Sequence, residues 1–371
     1  MILDAGGGLV TGAAGTGKSR VIHTLYDELV KREERVLKCA YTHAAAKLIG
    51  GTTVAHLLHL DKSLHDAWIL VDEYSLIPID TLGQLARHQL VGAKFAVFGD
   101  HEGQFEPMRD RWDAPYSMVA DSELLNCMCA YRHFKLTQYR RGEDQKLFDF
   151  YTMLYTRKDD EIGVLVKQAL QTYNARLPNI FDYHLVLCVS HANRILCNAR
   201  WNAVKAQCAQ SQGKVTWEID WEGDLVKGAT SQPQSMIIWE GIELIGAPRG
   251  SGKTTDIVQG VIYTVISCDE TEVLLRMRPE YCADEQKEIK VNMGDMPLLT
   301  RLTHAMCYYT CQGRSIDRGQ SVLLLDTNHA YFSRRSLIVG MSRVRHGDDL
   351  HIADDETQVA YIGRNHKKFR K

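Results

Sequence analysis

Residues 12–19 read GAAGTGKS. They meet the phosphate-binding loop pattern at every fixed position: Gly, four residues, then Gly-Lys-Ser. The flanks supply the context this pattern needs. Residues 8–11 read as a short buried strand, and from Ser19 onward Val21, Ile22, Leu25, Leu29 and Val30 recur at helical spacing. A glycine-rich turn between strand and helix aims successive backbone N–H groups at one point, and the positive end of the helix adds to their pull on an anion. Lys18 is expected to reach β/γ-phosphate oxygens and Ser19 to hold Mg²⁺, with Gly12, Gly15, Thr16, Gly17 and Arg20 lining the cradle.

Such a site needs a carboxylate at the end of a neighbouring strand. AWILVDEYSLI (67–77) offers one: the apolar run Ile69–Val71 ends in Asp72-Glu73. Asp72 is expected to hold Mg²⁺ through water and Glu73 to polarise an attacking water. A third apolar strand, KFAVFGD (94–100), leads to Gln104, placed to contact the γ-phosphate and that water.

A second stretch, APRGSGKT (247–254), fits the same pattern if Ala is allowed at its first position. Its flanks differ. GVIYTVIS (260–267) and TEVLLRM (271–277) alternate like strands around a turn at 268–270, and no amphipathic helix follows Thr254. The stretch reads as a basic flexible loop in which Arg249 or Lys253 suits contact with a nucleic-acid backbone; a solvated loop is the default.

Composition bounds the rest. The chain has 371 residues, enough for two or three domains. At 45% hydrophobic and 24% charged it can bury a sizeable core. Its net charge of −2 excludes a globally basic nucleic-acid binder, so any such binding must use a local groove. The ten cysteines show no paired C-x-x-C spacing and read as free thiols in a reducing compartment. No apolar run reaches about 18 residues and no signal pattern opens the chain, so a soluble intracellular protein without a membrane span is expected. The basic end NHKKFRK (365–371) reads as a solvated tail.

Taken in order, GAAGTGKS, THAAAKLIGGTTVAHLL (42–58), ILVDEYSLI (69–77), VFGDHEGQFEP (97–107), LTQYRRG (136–142), LTHAMCYYTCQGRSI (302–316) and SLIVGMSRVRHGDDLHI (336–352) resemble a helicase of superfamily 1, in the RecD-like branch. The resemblance covers most of the chain. It implies an α/β fold of two RecA-like domains with parallel sheets, ATP between them, and single-stranded DNA across their tops. It also implies 5′-to-3′ movement. RNA stays open as the strand, and a strand-stimulated ATPase that does not unwind stays open as the activity. Replication or repair partners are not specified.

The resemblance also assigns residues. Arg141 matches the family's motif-four arginine and Arg343 its motif-six arginine, both supplied by the second domain, with Arg140 and Arg345 as neighbouring alternatives. Gln312, Gly313 and Ser315 match motif five, where Tyr309 stands in the family's histidine place. Thr42, Thr53 and His56 fall in the motif that meets strand phosphates; Ala55 stands where the family has a histidine, and His56 either substitutes for it or faces the core. Asn198 matches a frequent asparagine opening the second domain. The implied domains are 1–134, then 135–225 with 296–371, interrupted by an SH3-like β-barrel at 226–295. The helical stretch 143–170 would pack on the second domain. Neither the adenine-reading glutamine segment nor the wedge inserted by many relatives before AWILVDE has a counterpart here, so strand separation would need another wedge.

Overall fold

The structure is a computed structural model that describes residues 2–59, 64–107, 119, 121–173, 177, 179–223, 232–248, 256–282 and 287–362. The chain divides into two compact units, Met1–Thr156 and Arg157–Lys371.

The first unit is built on a parallel sheet of six strands in the order β3-β2-β4-β5-β1-β6. These are β1 (Gly7–Gly12), β2 (Val36–Ala40), β3 (Thr52–Thr53), β4 (Trp68–Asp72), β5 (Lys94–Gly99) and β6 (His133–Leu136). The central strands are apolar on both faces, as a parallel sheet covered on both sides requires. Leu9, Ile69, Val71, Phe95 and Val97 point into one core with Leu82 and Leu85. Their neighbours Val10, Leu70, Ala96 and Phe98 point into the other. There they meet Ile22, Leu25 and Leu29 of helix α1 (Lys18–Lys31). The two-residue period of the strands thus fills two cores at once. The carboxyl ends of β1, β4 and β5 emerge at one edge, which is where open α/β sheets bind ligands.

The expected boundary at 134 falls inside β6. That strand pairs with β1 from Leu9↔His133 to Gly12↔Leu136, so it belongs to the first sheet. The chain that follows stays with it: helix α2 (Gln145–Met153) lies within the first unit, whereas the helix Ile162–Thr172 lies in the second.

The second unit holds a parallel sheet in the order β15-β7-β16-β17. Its strands are β7 (Leu185–Cys188), β15 (Ala305–Cys307), β16 (Val322–Leu324) and β17 (Leu350–Ile352), and the long helix α3 (His191–Ser211) follows β7. Strands β8 (Thr216–Ile219) and β9 (Met236–Trp239) form an antiparallel pair. An antiparallel sheet of five strands is inserted next, in the order β13-β12-β11-β10-β14: β10 (Glu243–Gly246), β11 (Ile262–Cys268), β12 (Glu272–Met277), β13 (Glu288–Asn292) and β14 (Thr300–Leu302). It runs past the expected limit of 295, because β14 pairs with β10 through Leu244↔Leu302. Among the described residues β13 does not pair with β14, so the strands do not close into the expected barrel by hydrogen bonding.

All ten cysteines are free thiols. Among the described residues no cluster of three His, Cys, Asp or Glu could hold a metal ion, and no helix is long and apolar enough to cross a membrane.

Candidate nucleotide site

The phosphate loop follows β1 directly. Gly12 has no room for a side chain: a Cβ there would lie 2.7 Å from the Leu136 carbonyl oxygen and from Thr16 Oγ1. Gly15 and Gly17 adopt φ of +85° and +94°, the left-handed region that glycine enters without steric cost. Gly17 precedes α1, and no side chain caps that helix, which leaves its first backbone N–H groups to an anion. Thr16 is buried and its hydroxyl donates to the Ala13 carbonyl at 2.8 Å. Arg20 and Ser19 are exposed in the first turn.

Lys18 folds back on its own loop, its Nζ donating to the carbonyls of Gly12 (2.6 Å) and Ala13 (3.1 Å). Burial pushes its pKa down; the charges of Asp100, Asp72 and Glu73 pull it back up, and Arg141 opposes them. Five charged groups therefore converge on this one loop.

Asp72 ends β4 with its carboxylate buried, accepting the Glu73 N–H at 2.9 Å. Burial lifts its pKa to about 6, against the opposing pull of that hydrogen bond and of Lys18. Glu73 sits at φ +51°, in the left-handed region, where the chain leaves β4 for a short helical turn at Tyr74–Leu76. Gln104 donates from Nε2 to Glu73 Oε1 at 3.4 Å, and its Oε1 accepts from the Ser75 hydroxyl. Gln104 thus holds the carboxylate expected to handle water. The hydroxyl of Ser19 and the carboxylate of Asp72 are the hard oxygen donors that suit Mg²⁺.

Two further residues belong here. Asp100 directly follows β5, is buried, and accepts Gly103 N–H at 3.0 Å and the Tyr155 hydroxyl at 2.7 Å. Burial and the Asp100 charge drive the Tyr155 phenol far above its usual pKa. Asp100 carries the same signal as Asp72, a carboxylate ending an apolar strand. Tyr155 carries none, because its partner is 55 positions away. The chain between them packs on the loop: Arg140 N–H donates to the Gly15 carbonyl (2.8 Å) and the Tyr151 hydroxyl to that of Ala14 (2.7 Å). A cavity of about 370 Å³ opens beside Gly12 and Ala13, bounded by Asp100, Leu136, Phe148 and Tyr155.

This packing corrects the origin of Arg141. The residue is part of the first unit and lies against the loop, where a Cβ on Gly15 would sit 3.0 Å from Arg141 Cβ. Its position follows from β6, which pairs with β1 and delivers residues 137–141 to the same sheet edge.

The second unit repeats the strand–turn–helix geometry at β7 and α3 but fills it. The Asp326 carboxylate accepts backbone N–H groups of Val189 (2.9 Å) and Ser190 (3.3 Å) and the Asn193 side-chain amide (2.7 Å). A built-in carboxylate occupies the place where the helix end would otherwise draw an anion. In APRGSGKT, residues 249–254 lie outside the described residues. Its flanks are the antiparallel strands β10 and β11, paired through Leu244↔Tyr263, so neither the parallel strand nor the helix of a phosphate site is present among the described residues.

Other expected residues take structural roles. Arg343 is buried, and its guanidinium donates to the carbonyls of Val339 (2.9 Å), Cys311 (3.3 Å) and Arg314 (2.7 Å) and to the Ser342 hydroxyl (2.9 Å). It clamps the turn that carries motif five instead of facing outward. The exposed arginine of that segment is Arg345, which pairs with Asp317 at 3.1 Å. Asn198 is fully buried; its amide bridges β14 to β15 through Leu302 O (3.4 Å), Ala305 O (3.1 Å) and Ala305 N (2.7 Å). That burial excludes it from touching nucleic acid.

Thr42 and Thr53 stand at the carboxyl ends of β2 and β3. Their hydroxyls accept the N–H groups of Ala45 and His56, each at 3.2 Å. His56 is exposed and not a core residue. In the second unit Gln312 Nε2 donates to the Tyr309 carbonyl at 3.3 Å, Gly313 takes φ +74°, and Ser315 is exposed.

Residues 1–107 match the family described as an AAA domain, which covers the loop, Asp72, Glu73 and Gln104. No curated protein matches the sequence. Among solved structures, a Pif1 helicase from Candida albicans superposes over 99% of this chain and 96% of its own, with a TM-score of 0.64 at 17% identity. The fold is that of the Pif1 helicases. A Bacteroides Pif1 bound to single-stranded DNA matches over 95% of this chain and 90% of its own, with a TM-score of 0.61 at 15% identity. The Bacteroides Pif1 helicase in complex with ADP-AlF3 and single-stranded DNA covers 99% of this chain and 94% of its own, with a TM-score of 0.60 at 16% identity. At these identities the likeness speaks to the fold alone, an α/β arrangement with two parallel-stranded sheets.

Proposed function

We propose that the chain is an ATP-driven motor that moves along single-stranded DNA, 5′-to-3′, as in the branch of superfamily 1 that holds RecD-like and Pif1-like enzymes. The observation that carries the reading is the convergence of Lys18, Asp72, Glu73, Asp100 and Arg141 on one phosphate loop. The AAA domain match and the Pif1 fold support it.

The chemistry follows from the side chains. Lys18 exchanges the carbonyls of Gly12 and Ala13 for phosphate oxygens, while the N–H groups opening α1 bind the same anion. Ser19 and, through water, Asp72 would hold the Mg²⁺, which supplies charge neutralisation on the phosphate oxygens when bound. Glu73, aligned by Gln104, orients the attacking water. Arg141 stabilises the negative charge that grows on the transferring group, an effect of about 10³–10⁵ in rate for arginines in this role. For the second arginine, exposure favours Arg345 over Arg343. Thr42, Thr53, His56, Tyr309, Gln312 and Ser315 are proposed to follow the strand, mainly through its phosphates.

The test is displacement of streptavidin from an oligonucleotide biotinylated at one end. ATP should drive displacement from the 3′ end much faster than from the 5′ end, and Glu73→Gln should abolish it. Equal, ATP-independent loss from both ends would sink the motor reading. A forked duplex in the same series separates unwinding from movement alone.

A further inference from the structure

A second cleft lies wholly in the second unit, at the opposite edge of its parallel sheet from Asp326. Its volume is about 400 Å³, within the ~300–1,000 Å³ range of small-molecule sites. His304, just before β15, forms its floor; Trp201, Lys205 and Cys208 line it from α3, and Trp239 and Glu243 from β9 and β10.

His304 is 2% exposed, yet neither ring nitrogen has a hydrogen-bond partner. Buried polar groups are rarely left so, because each orphaned atom costs about 1–3 kcal/mol. The ring stacks on Trp201 with centroids 4.9 Å apart and planes 9° from parallel, and Trp239 stands 6.5 Å beyond at 35°. The lining is therefore aromatic, and two imidazole nitrogens within it lack a hydrogen-bond partner.

The charges at the rim are spent on outer partners. Lys205 pairs with Asp182 at 3.1 Å, and Glu243 takes Arg278 in two bonds of 2.6 and 2.5 Å. The two lining charges therefore each have a counter-ion. Burial also keeps His304 neutral, its pKa pushed down to about 3, so it offers one N–H donor and one lone-pair acceptor.

We infer that this cleft binds a nucleobase: an uncharged planar heteroaromatic ring that stacks on the indoles and exchanges hydrogen bonds with His304. A free nucleoside and a base of an unpaired strand share this chemistry.

Alkylation of Cys208 reports on the site directly. It is exposed and lines the cleft, while Cys127, also exposed, lies in the first unit and serves as the internal control. The full chain is treated with iodoacetamide in the presence of adenosine, guanosine, cytidine or thymidine, or of short oligonucleotides with and without bases, and both cysteines are followed by mass spectrometry.

Saturable slowing at Cys208 alone, by threefold or more, with any of the nucleosides assigns the cleft to a free base. Slowing only by oligonucleotides that carry bases assigns it to a base presented by a strand. In either case folded His304→Phe, which keeps the ring and loses the nitrogens, should need at least tenfold more ligand. No slowing by any of these probes, equal slowing by abasic oligonucleotides, or unchanged protection in folded His304→Phe overturns the inference. None of these outcomes bears on ATP hydrolysis at Lys18, so the two readings fail separately.

Discussion

Single side chains set the geometry of the first site more than its motifs suggest. Tyr155 fixes Asp100 by a 2.7 Å bond, and Asp100 in turn fixes the turn that presents Gln104 to Glu73. Tyr155→Phe should therefore lower ATP turnover several-fold and cost about 1–3 kcal/mol of stability, while leaving nucleotide affinity nearly unchanged. A variant that hydrolyses ATP at the parent rate would show that Asp100 needs no anchor. His304 gives a prediction of a different kind. Its pKa is about 3 in the fold against an ordinary value of 6.5, so between those values the unfolded chain binds the extra proton. Stability from this residue is complete above pH 6.5 and is lost as pH falls toward 3, by about 1.4 kcal/mol per unit. Urea unfolding at pH 7.5 and 5 should show a drop of about 2 kcal/mol that His304→Phe removes; equal drops in both proteins would contradict the assignment. Lys18, Asp72, Glu73 and Gln104 were readable as candidates from short motifs. Tyr155 and His304 were not, since their roles depend on partners distant in the chain.

At the scale of elements, the strands announced themselves as apolar runs, and both parities of β4 and β5 are buried as the sequence suggested. β6 did not. HFKL is short and polar on alternate residues, and its membership of the first sheet comes from pairing with β1. The cost of missing it was an Arg141 placed in the wrong unit. Elements also explain why a motif match can mislead about a side chain. Asn198 and Arg343 sit where the family pattern puts them, yet both satisfy buried backbone groups. Asn198→Ala would strip partners from Leu302 and Ala305, at a cost of about 1–3 kcal/mol in unfolding free energy. DNA affinity of the folded protein should not change; a selective loss of affinity at full stability would restore Asn198 to the strand-binding surface. Gly17→Ala offers a matched test on the loop. Nothing lies closer than 3.9 Å to the added Cβ, so its effect comes from φ +94° alone. It should weaken nucleotide binding with only a modest loss of stability, about 1–2 kcal/mol for a strained residue.

Across the whole molecule, one open candidate nucleotide site is present among the described residues, and it lies in the first unit. The first keeps its helix end for an anion; the second fills the equivalent place with Asp326. The second GKT-bearing stretch is flanked by antiparallel strands, in keeping with the alternation of residues after Lys253. The limits of the inserted sheet were less readable, because β14 joins it from beyond a helical turn at Met296–Leu299. The measurement that bears most directly on this single-site reading is ATP hydrolysis with and without single-stranded DNA for the parent, Lys18→Ala and Lys253→Ala. DNA should stimulate the parent, Lys18→Ala should be inactive, and Lys253→Ala should keep the parent's basal rate. Loss of much of that basal rate in Lys253→Ala would mean a second nucleotide site and would contradict the architecture described here.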